Sequence, residues 1–206
     1  MCGIVGGISV ERLGWLDEED PLGRAIDCLA HRGPDDRGQF IAADRRAFLG
    51  QRRLSIIDLA GGHQPIADES GQIQFCYNGE IYNFRALREQ LLARGHKFRT
   101  HSDGETALHL YQENSREFVA SLGGMFAIAI FDEPAEQLTL VRDRNGIKPL
   151  YYYRDERNLF FASELKAILA LLPRRPAISP RALREYLRGK FIPSPLTIYE
   201  GIFELP

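Results

Sequence analysis

Short apolar runs separated by turn-forming residues predict most of the strands in this chain. The first run, at residues 2–9, is rich in glycine and β-branched residues, which is typical of a buried strand. Similar runs occupy residues 39–43, 47–54 and 73–77, and the last of these ends abruptly at the sequence NGEIYN. Four later runs are joined by short charged turns and predict an antiparallel meander: MFAIAIFD, QLTLVRD, LYYYRD and LFFAS.

Other segments carry apolar residues at helical spacing, and Gly95 provides a stop for one of them. The predicted helices cover residues 22–30, 84–93, 103–114, 164–172 and 179–188. Several strands occur together between helices, without a steady alternation of one strand and one helix. The pattern therefore predicts an α+β fold with antiparallel sheets.

Composition and charge exclude several classes of protein. The 206 residues are 44% hydrophobic and carry a net charge of -2, without the clustered basic excess of a nucleic-acid-binding domain. No apolar stretch approaches the roughly 18 residues of a membrane-spanning helix, and no signal-peptide pattern occurs. Three cysteines are too few for a disulfide framework. We expect a cytoplasmic protein without nucleic-acid or membrane partners.

Cys2 is the first candidate for chemistry, because it follows only Met1. If Met1 is removed, Cys2 carries a thiol and a free α-amine, which titrate near ~8.5 and ~8. The amine can then take the thiol proton and later deliver it to a leaving amine, as general base and acid. From its position alone, a buried structural cysteine explains Cys2 equally well.

The sequence Asn78-Gly79-Glu80 follows a predicted strand and offers two adjacent hydrogen-bond donors. A side-chain amide and a glycine N–H together suit an oxyanion, and glycine lets the backbone approach a substrate closely. A plain asparagine–glycine turn between two strands accounts for the same residues.

Arg53 and Asp103 are candidates for binding charged groups of a substrate. The guanidinium of Arg53 can bind a carboxylate through two parallel hydrogen bonds. Asp103 can bind an ammonium group, although Ser102 or Asp103 also fits a helix N-cap. The histidines show no ligand spacing, so no metal site is predicted, and the segment HRGPDD is interpreted as an ordered loop.

Eight motifs occur in order along nearly the whole chain. They are CGIVGG, HRGPDD, RRLSIIDL, GHQP, NGEIYN, SDGE, GMFAIAIFD and RDRNGIKPLYY. As a set they resemble the N-terminal glutaminase domain of asparagine synthetases, within the class II glutamine amidotransferases. Asn145 is a small departure, since relatives often carry an apolar residue there.

The resemblance implies a fold and a nucleophile. The expected fold is the N-terminal-nucleophile hydrolase sandwich, in which two antiparallel sheets lie between helical layers. Cys2 is expected to attack the side-chain amide of L-glutamine after loss of Met1 and to form a thioester, with its α-amine as base. Asn78 and the N–H of Gly79 are expected to hold the oxyanion.

The resemblance also assigns the residues that bind the substrate. Arg53 is expected to bind its α-carboxylate, and Asp103 and Glu80 its α-ammonium group. Ile56 and Ile57 are expected to line the pocket. This half reaction requires no metal or organic cofactor.

The expected domain organisation has two parts. Residues 1–190 form the glutamine amidotransferase domain, and the Pro-rich residues 191–206 begin a connection to a C-terminal synthetase domain. In asparagine synthetases that domain adenylates aspartate, so ATP and Mg²⁺ are expected only there. Its SGGxDS pyrophosphate loop does not occur in these residues, and the truncation leaves the ammonia acceptor open. Relatives often dimerise, which makes a homodimer one expected assembly.

Two alternatives concern what the domain does with ammonia. The first is an amidotransferase that supplies a different acceptor, such as a sugar phosphate or a carboxylate. The second is a catalytically silent regulatory module that keeps the fold. The presence of Cys2, Arg53, Asn78, Gly79 and Asp103 argues against silence unless Met1 is retained.

Overall fold

Two antiparallel β-sheets form the centre of the computed structural model, which describes residues 1–17, 20–59 and 61–206. The strands are β1 (Gly3–Ser9), β2 (Asp36–Ile41), β3 (Ala47–Arg53), β4 (Ile66–Ala67), β5 (Ile73–Ile81), β6 (Gly124–Asp132), β7 (Gln137–Arg142), β8 (Tyr151–Arg154), β9 (Asn158–Ala162) and β10 (Ile202–Glu204). The helices are α1 (Pro21–Asp27), α2 (Phe84–Ala93), α3 (Asp103–Asn114), α4 (Leu165–Leu171) and α5 (Pro180–Gly189), with 3₁₀ turns at Gly14–Asp17 and Ser115–Ser121.

The strands divide into a large and a small sheet. The large sheet has six strands in the order β10-β8-β9-β1-β3-β2, and the small sheet has four in the order β4-β5-β6-β7. Both are antiparallel, with Val5 of β1 opposite Gly50 of β3 and Tyr77 of β5 opposite Ile128 of β6. The predicted α+β fold with antiparallel sheets is confirmed.

Strand alternation creates three apolar layers. On the large sheet, Val5 and Phe160 face outward and pack against α1 and α4 through residues such as Ile26 and Ile168. The neighbouring Ile4 faces inward, in a cluster that joins the two sheets. The outer face of the small sheet packs against α2 and α3 through a third cluster, whose members include Phe75, Ile81, Leu91, Leu108 and Ile130. The layers therefore run helix, sheet, sheet, helix.

The prediction that the four strands of residues 125–163 form one antiparallel meander is wrong. β6 and β7 belong to the small sheet, whereas β8 and β9 belong to the large one. The connection between β7 and β8 crosses from one sheet to the other. Hydrophobic alternation predicts that these segments are strands, but strand partners are chosen by long-range packing that a local pattern does not contain.

The predicted strand at residues 73–77 also continues further than its pattern indicates. β5 extends to Ile81, and Asn78, Gly79 and Glu80 pair with Ala127, Phe126 and Met125 of β6. The interpretation of Asn78-Gly79 as a plain turn is therefore wrong. The side chain of Ser102 accepts a hydrogen bond from the N–H of Gly104 at 3.2 Å, which identifies Ser102 as the N-cap of α3.

Residues 191–206 pack against the rest of the structure. Strand β10 pairs with β8 at the edge of the large sheet, with Phe203 opposite Tyr152. Ile202 is fully buried in the cluster beneath α1 and α4. Over the described part of the chain, none of the helices has both the length and the apolar character that a membrane span requires.

Candidate active site

A cavity of about 150 Å³ lies where Cys2, just before β1, approaches the end of β5. It is smaller than the roughly 300–1,000 Å³ of pockets that take drug-sized ligands, so it suits a small substrate. All eight site residues predicted from the sequence line it: Cys2, Arg53, Ile56, Ile57, Asn78, Gly79, Glu80 and Asp103. The other lining residues are Met1, Leu54, Gly62, Gln64, Tyr77, Ser102, Met125 and Lys148.

Other clefts are larger, among them two with volumes of about 510 and 470 Å³. They contain none of the predicted site residues. Of the buried side-chain atoms found without a hydrogen-bond partner in the described ranges, none belongs to a residue of either cleft, whereas Nδ2 of Asn78 belongs to the small cavity. Unpaired buried donors are costly, so they mark a place where a ligand would supply the missing acceptor.

Contacts on both sides hold Cys2 in place. Its Sγ lies 3.7 Å from the carbonyl oxygen of Leu54, and its own carbonyl oxygen accepts a hydrogen bond from Nε of Arg32 at 2.9 Å. Arg32 in turn forms an ion pair with Glu164 at 3.0 Å. Met1 is 57% exposed, so the residue whose removal frees the α-amine is accessible to solvent.

The surroundings of Cys2 favour the protonated form of its thiol. Burial raises its pKa above the ordinary value, and the positive charges of the chain terminus, Arg53 and Lys148 offset this rise only in part. A protonated thiol is a weak nucleophile, because the thiolate is the reactive form. The site therefore needs a base beside Cys2, and an α-amine on the same residue would be the nearest one.

Asn78 supplies one donor to the cavity. It is 1% exposed, and its Nδ2 has no hydrogen-bond partner among the described residues. The carboxamide lies on the strand opposite the nucleophile, in the layer between the two sheets. Its free N–H groups are therefore available to an oxygen that develops negative charge near Cys2.

The N–H of Gly79 supplies a second donor, for a reason that lies in strand geometry. The N–H groups of Tyr77 and Ile81 point away from β6 and donate to side chains, Oε1 of Gln64 and Oδ2 of Asp103, both at 2.8 Å. Alternation along an antiparallel strand points the N–H of Gly79 to the same edge. The short β4 reaches only as far as Phe75, so no strand pairs with that edge at Gly79.

Glycine is required at position 79 by close packing. A Cβ there would lie 2.2 Å from the carbonyl oxygen of Met125, a distance that real Cβ atoms do not reach. Any side chain would push β5 away from β6 and move both donors. The glycine therefore maintains the spacing of the strands that carry the site.

Arg53 is buried and organises the loop beside it. Its Nη2 donates to the carbonyl oxygens of Ile57 and Asp58 at 2.8 and 2.6 Å, and Nη1 donates to that of Leu59 at 3.4 Å. Three of the five N–H groups of a guanidinium are thereby used. No carboxylate lies within 4.0 Å of Arg53 among the described residues, so the guanidinium forms no direct ion pair there, although the more distant carboxylate of Asp58 feels its charge.

The two predicted acidic residues lie in different surroundings. Asp103 is 1% exposed and accepts hydrogen bonds from the hydroxyl of Tyr77 and the N–H of Ile81. Glu80 is half-buried, and its side chain has no hydrogen bond or ion pair with a described residue. Both carboxyl groups border the same cavity as the guanidinium of Arg53, so the lining contains acidic and basic side chains.

Three residues of the site were not predicted from the sequence. Arg32, in the HRGPDD segment, holds the carbonyl of Cys2. Lys148 is 5% exposed and lines the cavity without a hydrogen bond or ion pair to its side chain in the described ranges. Tyr77 binds Asp103. A motif match shows that such residues are present, but Arg32 and Tyr77 lie 30 and 26 positions from their partners Cys2 and Asp103, and only folding brings them together.

Ile56 and Ile57 line the cavity, as predicted. Ile56 lies at the rim and is 61% exposed. No group of three or more His, Cys, Asp or Glu side chains in the described ranges is arranged to hold a metal ion. The cavity therefore offers a thiol, unpaired hydrogen-bond donors and charges of both signs as its chemical groups.

A comparison with known protein families agrees with this arrangement. The family model of the glutamine amidotransferase domain matches residues 1–206. The chain belongs to the glutamine amidotransferase domain family. Glutamine-hydrolyzing asparagine synthetase 3 of Bacillus subtilis is 37% identical over the whole chain, which covers 33% of that protein. Amidase chry2 of Gibberella zeae is 38% identical over 90% of the chain, which covers 27% of that protein.

The glutamine amidotransferase domain is thus only part of such proteins, because the chain spans about a third of the length of the curated relatives it matches. Among solved structures, glutamine phosphoribosylpyrophosphate amidotransferase from B. subtilis superposes with a TM-score of 0.64. It is 21% identical, and the match covers 82% of this chain and 43% of that one. This likeness confirms the predicted N-terminal-nucleophile hydrolase fold.

Proposed function

We propose that this domain hydrolyses the side-chain amide of L-glutamine to glutamate and ammonia, with Cys2 as nucleophile after loss of Met1. The observation that carries the proposal is the common cavity. The thiol of Cys2, the unpaired Nδ2 of Asn78 and the guanidinium of Arg53, which has no direct ion pair among the described residues, all border it. Asp103 borders the same space, so both charged ends of an amino acid find an opposite charge.

The first half of the reaction forms a thioester. The free α-amine of Cys2 takes the thiol proton, and Sγ attacks the side-chain carbonyl carbon of glutamine. Nδ2 of Asn78 and the N–H of Gly79 donate to the oxygen that becomes negatively charged. The α-ammonium returns the proton to the leaving nitrogen, the C–N bond breaks, and ammonia leaves.

The second half restores the enzyme. The α-amine takes a proton from water, whose oxygen attacks the thioester carbon, and the same two donors again bind the oxyanion. The C–S bond breaks, the thiol is re-protonated, and glutamate leaves. Throughout, Arg53 binds the α-carboxylate, and Asp103 and Glu80 bind the α-ammonium group. No step requires a metal or an organic cofactor.

The decisive experiment compares two proteins that differ only in their first residue. A cleavable leader exposes either Met1 or Cys2 as the N-terminus, and intact mass confirms each form. We expect the Cys2 form to release ammonia from glutamine and to take one equivalent of an electrophilic glutamine analogue on Cys2. The Met1 form should do neither, because its Cys2 nitrogen is an amide and cannot act as a base.

Two cysteine variants provide matched controls. All three cysteines are free thiols, and Cys28 is half-buried like Cys2. The electrophilic glutamine analogue should label Cys28→Ala to the same extent as the unmodified protein. It should not label Cys2→Ala, and that variant should lack glutaminase activity. Label on Cys28 or Cys76, or full activity of the Met1 form, would contradict the proposed mechanism.

We propose that the ammonia is used by an ATP-dependent synthetase region, as the names of the asparagine synthetase relatives suggest. In that arrangement ATP and Mg²⁺ bind outside residues 1–206, and residues 191–206 lead from the amidotransferase domain toward that region. A different acceptor is the second candidate, favoured by the relative that is named an amidase. Measuring the asparagine that the whole protein forms from aspartate separates these two candidates. Asparagine formation supports aspartate as the ammonia acceptor, and its absence supports a different acceptor.

The assembly and the location of the protein belong to the same proposal. Its free thiols agree with a cytoplasmic, reducing environment. A homodimer is the proposed assembly, and sedimentation of the whole protein tests it. A monomer at micromolar concentration would contradict that assembly without bearing on the glutaminase reaction.

A further inference from the structure

Tyr77 is a polar residue in an otherwise apolar position. Its ring lies in the cluster between the small sheet and its helices, 5.7 Å from the ring of Phe75. A phenylalanine would fill the same space, and a buried hydroxyl costs free energy unless it is hydrogen-bonded. What tyrosine provides here and phenylalanine would not is therefore the hydrogen bond from its hydroxyl to Oδ1 of Asp103.

Asp103 is held by two donors from β5. The hydroxyl of Tyr77 donates to Oδ1, and the N–H of Ile81 donates to Oδ2 at 2.8 Å. A carboxylate has about four acceptor positions, so two remain for a ligand. With one donor on each oxygen, the plane of the carboxylate cannot rotate freely, and the remaining acceptor positions keep a fixed direction beside the cavity.

Tyr77 is itself immobilised from three sides. Its N–H donates to Oε1 of Gln64 at 2.8 Å, and its carbonyl oxygen accepts from Nε2 of Gln51 at 3.3 Å. Its ring lies against the first turn of α3, where a Cβ on Gly104 would come within 2.5 Å of Cε1. The hydroxyl therefore reaches Asp103 from a rigid support.

The hydroxyl remains a donor over the whole physiological range. Burial raises the pKa of Tyr77 well above its usual value, and the neighbouring charge of Asp103 raises it further. The proton thus stays on the phenol, and Asp103 stays free to accept from a cation.

We propose that Tyr77 is a positioning residue, which orients the carboxylate of Asp103 to receive the α-ammonium group of the substrate. The inference rests on the proposed function, because it takes glutamine as the ligand of this cavity. It adds a residue that acts on recognition of the amino group through Asp103.

The test separates this role from a general structural one. Binding is measured by calorimetry in Cys2→Ala protein, with L-glutamine and with glutaramate, which is glutamine without its α-amino group. Tyr77→Phe should weaken glutamine binding about tenfold, as expected for loss of one hydrogen bond to a charged group. Glutaramate binding should change less than twofold, because that ligand has no ammonium group for Asp103 to bind.

A second tyrosine–aspartate pair provides the matched control. The hydroxyl of Tyr111 donates to Oδ2 of Asp132 at 3.0 Å, and neither residue lines the cavity. Tyr111→Phe should leave the affinities of both ligands unchanged. In an Asp103→Asn background, Tyr77→Phe should have no further effect on the preference for glutamine over glutaramate.

Several outcomes overturn the proposal. Equal weakening of both ligands by Tyr77→Phe means that the residue only supports the fold of the cavity. Unchanged glutamine binding means that Ile81 and α3 alone place Asp103, and absence of glutamine binding by Cys2→Ala protein contradicts the premise that this cavity holds glutamine. If binding behaves as expected but the Cys2-initiated protein releases no ammonia, the proposed function fails while the role of Tyr77 stands.

Discussion

Arg53 and Arg142 hold loops in the same way but differ in how their charges are compensated. Arg53 donates to the carbonyl oxygens of residues 57, 58 and 59. Arg142, at the end of β7, donates to those of residues 146, 148 and 205. Each guanidinium thus binds three backbone carbonyls and fixes a loop beside the cavity.

The difference lies in the counter-charge. Nη2 of Arg142 forms an ion pair with Glu204 at 2.6 Å, whereas Arg53 has no carboxylate within 4.0 Å over the described ranges. A buried charge without a partner reduces stability, so such a charge is retained where a ligand supplies the partner. From this comparison we predict that Arg142 stabilises the fold and that Arg53 binds an anionic group of the substrate.

Arg53→Met should have the largest effect on substrate use. Loss of the charge removes the partner of the α-carboxylate, and kcat/KM for glutamine should fall about a hundredfold, consistent with two charge-assisted hydrogen bonds. Steady-state ammonia release measures it. 4-Aminobutanamide is glutamine without its α-carboxylate. In Arg53→Met, kcat/KM for glutamine should fall to the value for 4-aminobutanamide, so that the preference for glutamine is lost. An equal loss in Arg142→Met would contradict the comparison.

Arg142→Met should act mainly on stability. It leaves Glu204 and three carbonyl oxygens without their donor, and the free energy of unfolding should fall by about 2 kcal/mol, since the pair is only partly buried. Urea unfolding followed by circular dichroism measures the change. The KM for glutamine should change less than that of Arg53→Met, and a larger change would assign Arg142 to substrate binding.

Arg53→Lys keeps the charge but removes the planar fork. A single ammonium group cannot hold the loop carbonyls and a carboxylate in the same geometry, so KM for glutamine should rise about tenfold. The free energy of unfolding should stay within about 1 kcal/mol of the unmodified protein. Unchanged KM would remove Arg53 from carboxylate recognition.

Asp143→Asn should give the smallest effect, with a defined dependence on pH. Burial raises the pKa of the Asp143 carboxyl, but hydrogen bonds from the N–H groups of Ile147, Lys148 and Phe126 outweigh it and hold the pKa below its usual value. A lowered pKa in the folded state stabilises the protein above the unfolded pKa of about 3.9 and loses that contribution as the pH falls. The variant should be about 1 kcal/mol less stable at pH 7.

That difference should narrow as the pH falls below about 4, because the carboxyl of Asp143 becomes protonated first in the unfolded state and, at lower pH, in the folded state. Thermal unfolding of both proteins between neutral and acidic pH measures it. A difference that stays constant or widens in acid would mean that the charge of Asp143 does not stabilise the loop that carries Lys148.

The amino-acid sequence by itself determined the positions of helices and strands and the candidate residues of the active site. Predicted helices at residues 84–93 and 103–114 agree with α2 and α3, because apolar periodicity and caps are local properties. The motif set predicted the family and eight of the residues that line the cavity. Their roles in catalysis and binding stay predictions.

Only the tertiary structure decided how these parts combine. The four-strand block divides between two sheets, and Asn78-Gly79 lies within β5, where a short β4 leaves the N–H of Gly79 unpaired. Tyr77 and Asp103, and Cys2 and Arg32, are distant in sequence and meet through hydrogen bonds. Strand pairing and burial depend on contacts between distant segments, so a local pattern predicts the strand but not its partner, and the charged residue but not whether its charge is already neutralised.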